Sequence, residues 1–130
     1  NDASAFEQPP FTIPETGEIC KQHKNPDGTY NREDLLKFEQ AVIDFLKMLR
    51  KHNESSHIVW AYGMLGYDLT LAITEAMNTY RNETGDSNVA FLQLPDSTPD
   101  NLGAHAHPGP ASHERAAAIL IEYFKKKWEV

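Results

Sequence analysis

Three segments of the chain carry apolar residues at intervals of three and four, which is the spacing of one helix face. The first predicted helix covers residues 32–52, and Asn31 is placed to cap its start. The second covers residues 68–80, and the third covers residues 112–127 with Ser112 as its cap. We expect these residues to face the core: Leu35, Phe38, Val42, Phe45 and Leu49 in the first helix; Leu69, Ile73, Ala76, Met77 and Tyr80 in the second; Ala116, Ala117, Ile119, Leu120, Tyr123 and Phe124 in the third.

Two shorter runs, residues 58–65 and 89–94, are apolar at nearly every position. Such runs are typical of strands in a parallel sheet that is covered on both faces. Helices and strands alternate along the chain, which predicts a layered α/β fold with a parallel sheet. Two strands leave sheet edges unpaired, so we expect further strands from the N-terminal side or from another chain. Residues 1–130 are therefore interpreted as the C-terminal portion of one domain.

Residues 1–31 are rich in proline and glycine and predict a long ordered loop. Apolar side chains within it, Phe6, Phe11, Ile13 and Tyr30, indicate that the loop packs over another part of the molecule. We expect Phe6 and Phe11 to line the same cleft as the functional residues.

Composition excludes several classes of function. The net charge of −7 disfavours binding to nucleic acid, because it repels phosphate. Cys20 is the only cysteine, which excludes an intrachain disulfide and thiolate-rich metal sites. No apolar run approaches the ~20 residues of a membrane span.

The segment from Gly103 to His113 holds three of the six histidines of the chain. Histidine exchanges protons near neutral pH, so such a loop is a candidate for acid-base chemistry. Pro108 and Pro110 restrict the backbone on either side of them, which indicates that the loop holds His107 in a defined position. Loops that leave the carboxyl ends of parallel strands also form the ligand sites of α/β sheets.

Two blocks follow the predicted strands, Gly63-Met64-Leu65-Gly66 and then Gly103-Ala104-x-x-His107-Pro108, which runs into Ser112-His113 and the last helix. In this order they resemble the C-terminal half of the SGNH (GDSL-like) esterases, and more narrowly family two of the carbohydrate esterases. In that family a Gly-Ala-Asp-x-His-Pro block carries the catalytic histidine, which matches His107. Asn1-Asp2 resembles the end of the Gly-x-Asn-Asp block, whose asparagine contributes to the oxyanion hole. The resemblance implies a three-layer α/β/α fold with a parallel sheet, of the SGNH or flavodoxin-like kind. It also implies a secreted or periplasmic acetyl esterase that acts on an acetylated carbohydrate or another small ester, without a cofactor.

The sequence departs from the family at two places. The nucleophilic serine of the family lies in a Gly-Asp-Ser block upstream of everything in this chain, so the chain alone is expected to be inactive. Gly85-Asp86-Ser87 has the same letters but precedes a later strand, and we interpret it as a surface turn. His105 stands where much of the family has Asp. An imidazole cannot stabilise an imidazolium as a carboxylate does, so we expect either a Ser-His dyad or a triad completed by another group; a backbone carbonyl is one group able to hold the ring.

The same histidines permit other interpretations. His105, His107 and His113 resemble the spacing of some zinc and iron sites, but an extended His-x-His points its rings to opposite sides, and we expect no metal. His113 is interpreted as a packing residue of the first helical turn. His23, His52 and His57 lack a motif and are expected to be solvated.

Tyr62 and Met64 are interpreted first as core residues of the strand, and together with Gly63 they are also the candidates for substrate binding. They end the first strand, where aromatic and thioether side chains can face a sugar ring and Gly63 lets the backbone approach closely. A noncatalytic module that binds a glycan or a protein on the same fold is the alternative, with His105 as the sign of lost catalysis. In either case we expect a missing N-terminal fragment or self-association to cover the sheet edge.

Overall fold

A computed structural model describes residues 9–20 and 23–129 of the chain. Asn1 and Phe6, both named above, lie outside these residues. The elements follow in the order β1 (Phe11–Thr12), β2 (Ile19–Cys20), α1 (Arg32–His52), β3 (Ile58–Gly63), α2 (Thr70–Thr84), β4 (Val89–Leu94) and α3 (Pro110–Trp128). Two short 3-10 turns, Pro99–Asn101 and Ala104–Ala106, lie between β4 and α3.

Strands β3 and β4 pair in parallel, with Ile58 opposite Val89 and Gly63 opposite Leu94. Helix α2 makes the crossover between them, which confirms the predicted α/β fold with a parallel sheet. In the described part of the chain this sheet has two strands, and each keeps an outer edge without a strand partner.

The core lies between α1, α2 and one face of the sheet. The predicted face of α2 is confirmed, since Leu69, Ile73, Ala76, Met77 and Tyr80 are all buried. The predicted face of α1 is wrong in part, because Ile43 and Leu46 are buried while Phe45 is 44% exposed. Helix α1 packs mainly against α2, which turns Phe45 to the edge of Trp60 on β3, with ring centroids 6.0 Å apart.

Helix α3 lies beside the opposite face of the sheet. Its predicted buried face is also wrong in part: Ser112 and Ala116 are buried, whereas Ala117 and Ile119 are exposed. Among the described residues, only the outer face of the sheet and the loop before α3 are available to cover this helix, so much of its apolar face meets solvent.

Three predicted boundaries shift. Strand β3 ends at Gly63 rather than residue 65, because Gly63 and Met64 both have positive φ values, 142° and 73°. Helix α2 begins at Thr70 with Leu69 as its N-cap, whereas the prediction began at Asp68. The helix ends at Thr84, four residues beyond the predicted end. Helix α3 begins at Pro110, whose fixed φ suits the first helical position, so Ser112 is not its cap. The cap at Asn31 is confirmed, since its side chain accepts from the N–H groups of Glu33 and Asp34.

The segment before α1 contains structure that the sequence did not indicate. Strands β1 and β2 form an antiparallel hairpin, and a bridge joins Lys24 to Tyr30. Tyr30 packs against the core, as expected of this segment, but Phe11 is 53% exposed. Phe11 is also absent from the cleft described below, so the expectation that it lines the functional cleft is wrong.

The Gly85-Asp86-Ser87 turn has a structural role. Gly85 ends α2 in the left-handed conformation. The Asp86 carboxylate accepts hydrogen bonds from Arg50 Nε at 2.8 Å and from the Tyr80 hydroxyl at 2.7 Å. This carboxylate therefore ties α1 to the end of α2, which agrees with a turn and leaves the serine exposed.

None of the helices within residues 9–20 and 23–129 is both long enough and apolar enough to cross a membrane.

Candidate active site

The loop that carries His107 is held closed at its base by main-chain hydrogen bonds. The N–H of Gly109 donates to the carbonyl of Asn101 at 2.9 Å, and the N–H of Gly103 donates to the carbonyl of His107 at 2.6 Å. Leu102 and Pro108 form a β-bridge between these contacts. The loop thus returns on itself like a short hairpin, and His107 lies at its C-terminal side.

Gly109 and Ser112 fill the base of this loop. A Cβ atom on Gly109 would lie 2.7 Å from the carbonyl oxygen of Asn101, so only glycine fits there. The buried hydroxyl of Ser112 donates to the carbonyl oxygen of Asn101 at 3.1 Å and lies 2.7 Å from its side-chain oxygen. Ser112 therefore anchors the histidine loop to α3 instead of capping the helix.

The imidazole of His107 is oriented by the backbone two residues earlier. Its Nδ1 atom lies 3.0 Å from the carbonyl oxygen of His105. A carbonyl only accepts hydrogen bonds, so Nδ1 carries the proton and Nε2 is the basic nitrogen of the neutral ring. His105 and Ala106 have φ values of 53° and 59°, and this left-handed turn directs the carbonyl back toward the ring.

His107 lines a cleft of about 330 Å³ at the carboxyl ends of β3 and β4. The other lining residues are Ala61, Tyr62, Gly63, Met64, Leu65, Leu94 and Pro108. The predicted substrate-binding residues thus share one cleft with the predicted catalytic histidine, as expected at the strand ends of an α/β sheet. His105 and His107 are both exposed, but His105 is not among the residues that line the cleft, and its backbone carbonyl is the group that contacts the His107 ring.

Tyr62 has a partner of its own at this cleft. Its hydroxyl accepts a hydrogen bond from the N–H of Leu69 at 3.3 Å. Burial raises the pKa of the Tyr62 hydroxyl above its ordinary value, so the group stays neutral at physiological pH. Gly63 has no room for a side chain, because a Cβ there would collide with the backbone of Leu94 on the paired strand.

Two histidines expected to be solvated are partly buried and hydrogen-bonded instead. His57 lies 2.8 Å from Asn88 Oδ1 through Nδ1 and 2.6 Å from the Tyr123 hydroxyl through Nε2. His23 Nδ1 lies 2.8 Å from Asp34. Neither lines the cleft of His107. These partners lie 11, 31 and 66 residues away in the chain, so no local sequence motif predicted the hydrogen bonds of the two histidines.

The other two histidines, His52 and His113, are exposed. The main-chain N–H of His113 donates to Gly109 within the first turn of α3. Among the described residues, no group of three or more His, Cys, Asp or Glu side chains is arranged to hold a metal ion.

A larger cleft of about 650 Å³ lies between β4 and α3, lined by Leu92, Ile119, Glu122, Tyr123, Lys125 and Lys126. It contains none of the residues that the sequence predicts for the site. We therefore assign the candidate active site to the smaller cleft at His107.

A comparison with solved structures finds that this chain is similar to an acetyl xylan esterase (Est2A) from the rumen bacterium Butyrivibrio proteoclasticus. The two chains are 52% identical with a TM-score of 0.91, over 97% of this chain and 34% of that chain. This chain therefore spans about a third of the length of the esterase. No protein-family model and no curated protein matches the sequence. The similarity supports a relation to esterases and is consistent with the C-terminal part of an α/β domain.

Proposed function

We propose that this chain is the histidine-bearing part of an SGNH-type carbohydrate acetyl esterase, whose serine nucleophile lies upstream of residue 1. The observation that carries the proposal is the contact of 3.0 Å between His107 Nδ1 and the carbonyl of His105. It leaves Nε2 as the base of a ring that lines the cleft. The likeness to an acetyl xylan esterase supports the same reaction class and suggests acetylated xylan as a substrate.

In the proposed mechanism His107 is the general base and acid. Nε2 takes the proton from the serine hydroxyl as the serine oxygen attacks the acyl carbonyl. The ring then gives that proton to the sugar oxygen as its bond to the acyl carbon breaks, so that the sugar leaves with a free hydroxyl. Water then attacks the acyl-enzyme with His107 again as base, which releases acetate and restores the serine. The carbonyl of His105 holds the ring and offsets part of the positive charge that it acquires.

The oxyanion contact is assigned to Asn1 on the family resemblance. Its side-chain amide would donate to the oxygen that becomes negative as the serine attacks, a contact worth about 3 kcal/mol of barrier in related chemistry. Asn1 lies outside the described residues, so this role stays a prediction.

A noncatalytic binding module is the competing proposal, and His105 was its main support. This support weakens once the ring of His107 is held by a backbone carbonyl, because the side chain at position 105 need not be a carboxylate.

Action on a polysaccharide also favours a secreted or periplasmic enzyme, since such polymers do not cross a cell membrane.

Mutation of His107 in the full-length polypeptide tests the proposal. His107→Ala is expected to lower kcat for release of acetate from acetylated xylan by about 100- to 10,000-fold, the usual contribution of a general base. His113→Ala is the matched control, since His113 is exposed on the same loop-helix junction and lies outside the cleft. Unchanged turnover in His107→Ala would remove this histidine from the mechanism.

The upstream sequence separates the esterase from the binding module. A Gly-Asp-Ser block after an apolar strand, together with loss of activity on replacement of its serine by Ala, supports the esterase. Absence of that block, with retained binding to xylan, favours the module.

A further inference from the structure

The turn that follows β3 holds a residue in an unfavourable conformation. Met64 has a φ of 73°, in the left-handed region that side chains other than glycine and asparagine rarely adopt. Glycine occupies positions 63 and 66 of the same turn, so the chain uses glycine nearby where positive φ is needed. Unfavourable backbone of this kind persists only when surrounding contacts enforce it, and it is concentrated at functional sites.

Asp96 and the backbone of Ser97 make the contacts that hold this turn. The Oδ1 atom of Asp96 accepts hydrogen bonds from the N–H of Gly66 at 3.0 Å and from the N–H of Ser97 at 2.9 Å. The N–H of Ser97 is shared with the carbonyl oxygen of Met64 at 3.1 Å. The loop after β4 therefore holds the turn at two points, through the Asp96 carboxylate at Gly66 and through the Ser97 N–H at the Met64 carbonyl.

The backbone of Asp96 is held in turn by α3. Arg115 donates from Nη2 to the carbonyl oxygen of Asp96 at 3.2 Å. Asp96 thus connects the Met64 turn to the helix that begins directly after the histidine loop. Both walls of the cleft, the one with Met64 and the one with His107, are connected to the same helix.

We propose that Asp96 is a positioning residue that holds Met64 in the cleft wall beside His107, and that Met64 thereby limits the size of the acyl group. This inference rests on the proposed esterase function. Neither residue touches the reacting atoms in the mechanism above, so their effect falls on substrate selection rather than on proton transfer.

The chemistry of Asp96 explains what each replacement should do. Asn keeps an acceptor oxygen at the same position, so it can retain both hydrogen bonds without the charge. Ala removes the acceptor of the Gly66 N–H and leaves the bond from the Ser97 N–H to the Met64 carbonyl, so the turn is less restrained and we expect the Met64 side chain to withdraw. Gly at position 64 removes that side chain directly and suits a positive φ.

The test compares hydrolysis of 4-nitrophenyl acetate and 4-nitrophenyl butyrate by the full-length enzyme. Asp96→Ala is expected to raise the butyrate-to-acetate ratio of kcat/KM about 10-fold, with KM for acetate raised and kcat within about 3-fold of the unmodified enzyme. Asp96→Asn should stay within about 3-fold in both parameters, and Met64→Gly should change the ratio as Asp96→Ala does. The double variant should add no further change, because both substitutions act through one side chain.

The outcomes separate this inference from the proposed function. An unmodified enzyme that hydrolyses neither ester overturns both. An active enzyme in which Asp96→Ala lowers the melting temperature and leaves the ratio unchanged shows a structural role only, and so does an additive double variant. If Asp96→Ala does not fold, Met64→Gly decides the matter, since an unchanged ratio there removes Met64 from acyl selection.

Discussion

His107 Nδ1 lies 3.0 Å from the carbonyl oxygen of His105, and the imidazole of His105 stays outside the cleft. A backbone carbonyl therefore occupies the orienting role that a carboxylate fills in a serine-histidine-aspartate triad. Because this carbonyl belongs to the backbone, no side-chain substitution removes it. The identity of residue 105 is then free to vary, provided that the chain keeps its left-handed turn there.

Replacement of His105 by Ala should accordingly have little effect on catalysis. We expect kcat/KM for acetate release within about 5-fold of the unmodified enzyme, against about 10,000-fold for loss of a triad aspartate. His105→Gly, which adopts a φ of 53° without strain, serves as the second variant. A loss beyond about 100-fold in both variants would show that the imidazole itself takes part.

Gly109 and Gly103 form a matched pair in the histidine loop. Gly109→Ala should lower both stability, by about 1–3 kcal/mol, and esterase activity, because its Cβ would press on the carbonyl of Asn101 at the base of the loop. Gly103→Ala should be tolerated, since the nearest atom to its Cβ lies 3.4 Å away. Urea unfolding and acetate release measure the two effects, and equal behaviour of the two variants would contradict the expected difference.

The Asp86 carboxylate should make stability depend on pH. Burial opposes its ionisation, but hydrogen bonds from Arg50 and Tyr80 outweigh burial and hold the pKa of Asp86 below its usual value. A group with a depressed folded pKa contributes its full stabilisation above the unfolded pKa, about 3.9 for Asp, and loses it as pH falls through the folded pKa. The stabilisation is thus complete at pH 7 and declines below about pH 4.

Asp86→Asn tests this dependence. At pH 7 it should lower the free energy of unfolding by about 1–2 kcal/mol, and the difference from the unmodified protein should shrink toward pH 3. Asp44→Asn, at an exposed position of α1, is the control and should leave the free energy of unfolding at pH 7 within about 0.5 kcal/mol of the unmodified protein. A difference that is constant between pH 7 and pH 3 would mean that the ionised carboxylate is not the stabilising form.

The isolated chain of 130 residues should self-associate or retain an N-terminal fragment. Within the described residues, β3 and β4 have unpaired outer edges, and α3 exposes the apolar side chains of Ile119 and Ile121. Unpaired edges of this kind template further strands. Light scattering checks the state, and a stable monomer of 14.7 kDa without a second fragment would refute the expectation.

The sequence by itself determined the features that depend on local rules. Helical spacing and the Asn31 cap placed α1 correctly at residues 32–52, and the apolar run at 89–94 matched β4 at both ends. The two prolines that follow His107 predicted a loop that holds this histidine in a defined position. These agreements arise because periodicity, capping and proline geometry act over a few neighbouring residues.

Tertiary structure alone decided which distant groups meet. The partners of His57, Asn88 and Tyr123, are 31 and 66 residues away in the chain, so its expected solvation could not be corrected from local pattern. Asp96 was overlooked for the same reason, although an acidic residue two positions after β4 was a signal that it lies near the carboxyl ends of the strands. The buried side of α1 depends on how this helix packs against α2. The role of Ser112 depends on its hydrogen bonds to Asn101. Contacts of this kind are set by how the elements pack together, and a one-dimensional pattern does not contain that information.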